Sequence, residues 1–402
     1  MASRSLPARV FLCAAVLAAA LAAGCSRGQP PGPAPGRPVT ATVLSWGSFF
    51  GGRPGNFGTR ISPVAVRLPG KVDEVGTSNA AQYALLANGS LYAWGLGTQG
   101  ELGDGGTESS FTKPVRVHFP AGVKIASIPT DAMPYDTGLA IDTQGHVWGW
   151  GKNGGGELCL GNTAIYLDPV ELPLSQVSAL AGASNHALYD AGGTVWACGQ
   201  NVAGDLGDGS ASSTTAPVKV DKLSGLPVTK LVASFANSGA LLANGRYYDW
   251  GYNAQGQLGD GHGRPSSSVP VLVHLAAPVA QVAQGGSLWK NGQTLVMLTD
   301  GSLWAWGDNS AGQLGNGKRR TRSSPVRIHP PAGVTYRSLA TGSATSYAVS
   351  ATGHVYAWGV SHVGQVGDGR TRTAITPVLV ASGASSISST ANNAVINVPG
   401  PA

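Results

Sequence analysis

The chain has 402 residues, of which 59 are glycine and only 11% are charged. Glycine at that density without a Gly-X-Y period excludes collagen, and 42% hydrophobic residues exclude a disordered chain. The formal charge is +6; setting aside residues 1–24, which hold two arginines and no acid, leaves 24 basic against 20 acidic side chains, too mild a balance to point to nucleic acid.

In chain order, Arg4 and Arg9 precede the apolar run VFLCAAVLAAALAAG, which leads to Cys25. Fewer than 18 apolar residues are too few for a spanning helix, and the flanks fit an export signal over residues 1–24. LAAGC resembles the lipobox of bacterial lipoproteins, whose cysteine is lipidated and becomes the mature N-terminus. That resemblance implies a lipid on Cys25 and a place in the cell envelope. Ala22 stands three residues before the cysteine where that family has leucine, with Leu21 one place early, so plain secretion by cleavage after Ala20 or Ala22 is the alternative. Residues 25–41 are rich in Pro and Gly and read as a tether, ~14 extended residues spanning ~40 Å.

From residue 42 one phrase recurs. Trp94 opens WGLGTQGELGDG, Trp150 opens WGKNGGGELCLG, Trp250 opens WGYNAQGQLGDG, Trp306 opens WGDNSAGQLGNG and Trp358 opens WGVSHVGQVGDG. Cys198 opens a copy without the tryptophan, and Trp46 a looser one in which Asn56-Phe57-Gly58 stands for Gln-Leu-Gly. The starts at 46, 94, 150, 198, 250, 306 and 358 lie 48 to 56 residues apart, within the range of propeller blades. Each later start follows an apolar run, a two-residue turn and an alternating run, as in Tyr83–Leu86, Asn88-Gly89 and Leu91–Trp94. The turns Gln144-Gly145, Gly192-Gly193, Asn244-Gly245, Asp300-Gly301 and Thr352-Gly353 repeat the pattern, which predicts type I′ hairpins. After each Gly-rich loop comes a proline strand, beginning at Pro114, Pro169, Pro217, Pro270, Pro325 and Pro377.

Units of four short strands cannot bury both faces of their own sheet, so they must stack, and a radial ring of seven does so without exposed ends. Asn393–Asn397 is the first half of a hairpin without its partner, and Thr42–Trp46 is a Trp-Gly strand without a preceding half. Together they complete one blade. The pattern W-G-x-N-x-x-G-Q-L-G-x-G, a proline strand, and a hairpin into the next W-G resembles the regulator-of-chromosome-condensation repeat family. The resemblance covers residues 42–398 and implies an all-β, seven-bladed propeller whose terminal strands close one blade, with residues 399–402 as a tail. In that fold Trp46, Trp94, Trp150, Trp250, Trp306 and Trp358 are framework residues.

No reactive constellation emerges. Gly95-Leu96-Gly97-Thr98-Gln99-Gly100 spells G-x-G-x-x-G, but a proline strand follows where a dinucleotide site needs a helix N-terminus. The eight histidines show no metal-ligand spacing, and no cofactor, metal or catalytic residue is predicted. Asp104, Asp208, Asp260 and Asp368 share one phase of four different repeats, which suits turn capping rather than paired acid–base work.

The informative positions depart from the repeat. Cys159 replaces the glycine of Gln-Leu-Gly and Cys198 the tryptophan of Trp-Gly in the next copy; a compensating disulfide and two buried thiols are the alternatives. Lys318, Arg319, Arg320 and Arg322 fill one loop, and Arg370 and Arg372 the equivalent loop of the next repeat, either as a basic patch or as two solvated loops. Phe49, Phe50 and Tyr135 lie in irregular loops and read as exposed interface aromatics. These features favour a monomeric, non-catalytic scaffold outside the cytoplasm, membrane-tethered through lipidated Cys25. It would bind a protein or an anionic envelope component, not nucleic acid. The family resemblance adds two further expectations, inhibition of a secreted enzyme such as a β-lactamase and, last, guanine-nucleotide exchange on a small GTPase.

Overall fold

The computed structural model describes residues 42–49, 59–130, 133, 136–183, 185–286 and 292–399. The export and tether segments, with Cys25, and the loop residues Phe50, Asn56-Phe57-Gly58 and Tyr135 lie outside these residues. Within them the chain forms seven four-stranded antiparallel sheets arranged as a propeller, with no α-helix.

The first blade shows the common plan: Val72–Thr77 innermost, then Ala81–Leu86, Leu91–Gly95 and, outermost, Ser110–Arg116. Its second strand is buried at every residue, because neighbouring blades cover both of its faces. The outer strand keeps no fully buried position. The closing blade takes its two inner strands, Ser386–Thr390 and Asn393–Val398, from the C-terminal side and its two outer strands, Thr42–Ser48 and Thr59–Val66, from the N-terminal side. Thr42 pairs with Val398 and the register runs unbroken to Gly47 and Asn393. A meander of this kind sends the first-to-second and third-to-fourth connections to one end of the ring, and the second-to-third hairpins to the other.

The hairpins differ from type I′ at all but one place. Only Gly192-Gly193 has both central residues at positive φ, 59° and 75°. Elsewhere the glycine alone is left-handed: Gly89 at 80° donates to the Leu86 carbonyl at 2.8 Å, while Leu86 N–H donates to Ser90 O at 2.9 Å. That is a three-residue connection ending in a left-handed glycine. The residue before the glycine decides it. Asn88 Oδ1 accepts from Ser90 N–H and Asp300 Oδ1 from Ser302 N–H, a local bond available at negative φ without the strain of the left-handed region.

The glycine after each tryptophan has a stricter reason. Gly251 sits at φ 100°, the next N–H (Tyr252) donates to the Ala236 carbonyl at 2.8 Å, and a Cβ on Gly251 would collide with that same oxygen. Gly301, by contrast, is left-handed at 79° with nothing near its missing Cβ. Gly301→Ala is expected to cost about 1 kcal/mol, the backbone penalty alone. Gly251→Ala adds a clash with backbone and is expected to cost roughly 3 kcal/mol or more. Urea denaturation of the two variants checks the difference.

Candidate functional site: blade joints and a cationic rim

Each joint between blades is built from one sentence of the repeat. The leucine of Gln-Leu-Gly is fully buried in the seam, as at Leu102, Leu206, Leu258 and Leu314. The following glycine lies flat on the indole of the next blade; a Cβ at Gly103, Gly207, Gly259, Gly315 or Gly367 would come within 2.5–2.8 Å of Trp150, Trp250, Trp306, Trp358 or Trp46. All six repeat tryptophans are 0–1% exposed. A buried indole N–H needs an acceptor. It finds the backbone carbonyl of the residue before the leucine: Trp46 to Gln365 at 2.9 Å, Trp150 to Glu101 at 3.0 Å, Trp250 to Asp205 at 2.9 Å, Trp306 to Gln257 at 2.8 Å and Trp358 to Gln313 at 2.9 Å. Trp94 follows the aberrant closing-blade loop and turns instead to Gln82 Oε1 at 2.9 Å.

Phe49 belongs to that aberrant joint. It is 8% exposed, stacks on Phe111 with centroids 5.8 Å apart, and shares a core cluster with Trp94. The reading of Phe49 as an exposed interface aromatic is therefore corrected: the ring fills the seam beside Trp94.

The seam between the second and third blades is built differently. Cys159 and Cys198 are disulfide-bonded, with Cα atoms 5.6 Å apart. Cys159 keeps the left-handed backbone of the glycine it replaces, at φ 58°. Losing the indole leaves volume and a free acceptor, and a third residue takes both. Tyr189 pairs with Trp196, two residues before Cys198; the same register position holds Ala84, Ala140, Ala240 and Ala348 in other blades. Tyr189 is fully buried, and its hydroxyl donates to the Glu157 carbonyl at 2.9 Å, the oxygen an indole would otherwise take. Sequence reasoning found the cysteines but missed Tyr189, whose signal was a large residue in a column of small ones.

The side chain before the leucine bends back to its own loop. Gln257 Oε1 accepts from Gln255 N–H at 2.8 Å and Gln313 Oε1 from Ala311 N–H at 2.9 Å. In the first three blades this position is an acid, Glu101, Glu157 and Asp205, each at most 2% exposed. Burial raises all three carboxyls, Glu157 and Asp205 to about 7.

The repeat asparagine holds the Gly-rich loop closed in the second to fifth blades, and Ser361 takes its place in the sixth. Asn309 Oδ1 accepts from Leu314 N–H at 3.0 Å, while its amide donates to Lys318 O at 2.9 Å and Arg320 O at 3.2 Å. The Gly-Asp-Gly aspartates cap turns: Asp104, Asp208, Asp260 and Asp368 each accept from the N–H two residues on. The basic loops thus have fixed backbones. Lys318, Arg319, Arg320, Arg370 and Arg372 are exposed, and none has a carboxylate partner among the described residues. Arg322 departs from the loop reading: it opens the outer strand Arg322–Ile328, pairs with Gly307 and is half-buried. The two loops are neighbours, since Gly317 N–H donates to Ile375 O of the next blade at 3.0 Å.

Charge is distributed unevenly round this end of the ring. The third-to-fourth loops of blades one to three (96–109, 152–165, 200–213) carry six acids and one lysine. Those of blades four to six (253–265, 308–321, 360–373) carry six lysines and arginines and three aspartates.

The Regulator of chromosome condensation (RCC1) repeat model matches residues 88–129, 192–240, 244–288 and 300–349, each stretch running from the outer strands of one blade into the inner strands of the next. Over those stretches the chain carries RCC1 repeats. The Arabidopsis thaliana ultraviolet-B receptor UVR8 is 28% identical over 336 residues, 81% of this chain and 74% of the receptor. Among solved structures, human WBSCR16 superposes with a TM-score of 0.78 at 19% identity, covering 90% of this chain and 100% of that one. Saccharomyces cerevisiae Prp20p gives 0.76 at 20% identity, covering 90% and 92%. Those two likenesses show the fold. Cys159 and Tyr189 both lie between two matched stretches, 88–129 and 192–240.

Two outcomes follow from the joints. Reduction of Cys159–Cys198 is expected to cost about 3–4 kcal/mol of domain stability, as is the double variant Cys159→Ser, Cys198→Ser. The triple variant Cys159→Gly, Tyr189→Ala, Cys198→Trp rebuilds the ordinary joint and is expected to melt at the same temperature with and without reductant. The acids give a pH dependence. Burial pushes the Glu157 carboxyl up to about 7 from its ordinary 4.5, so its contribution is present in full below about pH 4 and is gone once pH has risen through 7. Glu157→Gln is expected to match the parent at pH 5 and to exceed it in melting temperature at pH 8.

Proposed function

We propose that this protein is a non-catalytic binding scaffold that works outside the cytoplasm, held to a membrane by a lipid on Cys25 and gripping its partner with the loops at one end of the ring. The observation that carries the binding reading is the one-sided cationic rim. Five exposed cations, with no carboxylate partner among the described residues, stand on loops whose backbones are pinned by Asn309, Asn316 and Asp368, so a partner can be met without reordering the loops. A rim of this kind selects a partner by opposite charge and speeds encounter. The extracytoplasmic reading draws on the export-type N-terminus and on a disulfide at a blade joint, which persists in an oxidising compartment. Prp20p, of the same fold, binds Gsp1p and histones, so a ring of this fold can serve protein recognition.

Metabolic labelling with a lipid precursor, followed by fractionation, tests the anchor. Label and membrane recovery are expected for the parent and lost in Cys25→Ser; an unlabelled, soluble parent overturns the tether. Retention of envelope components on immobilised mature protein tests the binding end. Replacing residues 317–323 with a Gly/Ser loop is expected to abolish a retained species, and equal retention by both proteins overturns the assignment of the rim.

A further inference from the structure

The cationic rim is longer than the two loops that announce it. Arg264 stands on the fourth blade's loop, Lys318, Arg319 and Arg320 on the fifth with Arg322 opening the strand that follows, Arg370 and Arg372 on the sixth, and Arg60 at the start of the closing blade's outer strand, Thr59–Val66. Each group is stitched to the next by the same backbone bond. Gly261 N–H donates to Ser323 O at 2.8 Å, beside Arg322; Gly317 N–H to Ile375 O at 3.0 Å, three residues after Arg372; and Gly369 N–H to Ile61 O at 3.0 Å, beside Arg60. Eight cations therefore follow one another across four consecutive blades. The equivalent bonds of the other blades, Gly105 to Leu167, Gly161 to Thr215 and Gly209 to Ser268, pass no lysine or arginine at these places.

We infer that this track binds a linear, phosphate-rich polyanion laid along the rim from the fourth to the closing blade. The inference rests on the binding reading above and names its ligand. Three observations select it. Seven of the eight cations are arginine, whose planar fork pairs two oxygens of a tetrahedral oxyanion at once. Between the cations, residues 260–265, 316–324 and 368–374 contain only Gly, Ser, Thr, Pro, Asn, Asp, His and Ala. They offer hydroxyls and amides but no aromatic or long aliphatic anchor of the kind that dominates protein–protein contacts or inserts into a bilayer. At the centre of the track, Arg322 carries a buried Nε without a hydrogen-bond partner. The acids on the track are held locally: Asp260 pairs with Arg264 at 2.7 Å, which makes that arginine the neutralised end of the track, Asp308 accepts from Gln313 Nε2 at 2.7 Å and Ser310 Oγ at 2.8 Å, and Asp368 Oδ1 accepts from Arg370 N–H at 3.0 Å.

A track differs from a patch in its dependence on ligand length. Mature protein is titrated by fluorescence anisotropy with labelled inorganic polyphosphate of roughly fifty units and with tripolyphosphate, and by sedimentation with vesicles of mixed anionic and neutral phospholipid. Long polyphosphate is expected to bind at least about tenfold tighter than tripolyphosphate at equal phosphate, with affinity falling steeply with salt. Arg319→Gln with Arg320→Gln, and separately Arg370→Gln with Arg372→Gln, are each expected to lower the salt slope by about 1–2 and to shrink the length advantage. These exposed side chains make no structural contacts, and an unchanged melting temperature verifies the fold. Equal affinity for short and long chains, binding to vesicles but not to polyphosphate, or variants that bind like the parent each overturn the inference. If polyphosphate fails to bind while retention of an envelope species still depends on residues 317–323, the polyanion is wrong and the binding scaffold stands; if both fail, the scaffold falls with it.

Discussion

Everything in this ring depends on how one buried indole N–H is satisfied. A four-stranded blade is apolar on both faces, so it must be covered by its neighbours, and the cover has to include the polar edge of the tryptophan that fills the seam. The repeat supplies a backbone carbonyl from the preceding blade's loop, puts a leucine under it, and follows with a glycine that lets the loop lie on the ring. Each blade's loop is thereby fixed by the next blade's core. Closure follows from the same bond, because Trp46 on an N-terminal strand takes the Gln365 carbonyl contributed near the C-terminal end.

The exceptions show that the joint is a physical requirement met in more than one way. Between the second and third blades a covalent bond and a tyrosine hydroxyl replace an indole, and they preserve the same acceptor and the same left-handed backbone. Beside Trp94, where the closing blade's loop departs from the repeat in sequence, a glutamine side chain accepts the N–H and Phe49 fills the seam. Three buried acids stand where glutamine serves elsewhere, tolerated because their backbone carbonyls carry the joint and their carboxyls can hold a proton.

With the seams fixed from within, the loops at the rim are free to differ in side chain while keeping one backbone. Side chains such as Asn309, Asn316 and Asp368 pin the Gly-rich loops locally, so lysine and arginine can accumulate on one side of the ring without loosening it. That separation divides the repeat's work: stability is set at the inner and middle strands, and side-chain variety is left to the ends of the outer ones.

The repeat was plain in the sequence because each of its residues answers a local demand, and local demands write the same letters each time. Trp306, Gly307, Asn309 and Leu314 announce a blade in any copy, and the unpaired half-hairpins at Thr42 and Asn393 announce closure. Even the cysteines stood out, since each broke a column. What the sequence could not express was partnership across the seam. Tyr189 has no meaning until Cys198 is known to leave its space, Phe49 reads as exposed until it is seen against Phe111 and Trp94, and Arg264 and Arg60 are isolated arginines until three backbone bonds align them with the loops between. The sequence by itself determined the blade, the number of blades and the ring, because strand period, turn chemistry and glycine spacing act over a few residues. Only the tertiary structure decided what fills each seam and which charges form a line, because those depend on residues some fifty positions apart being brought into contact by closure of the ring.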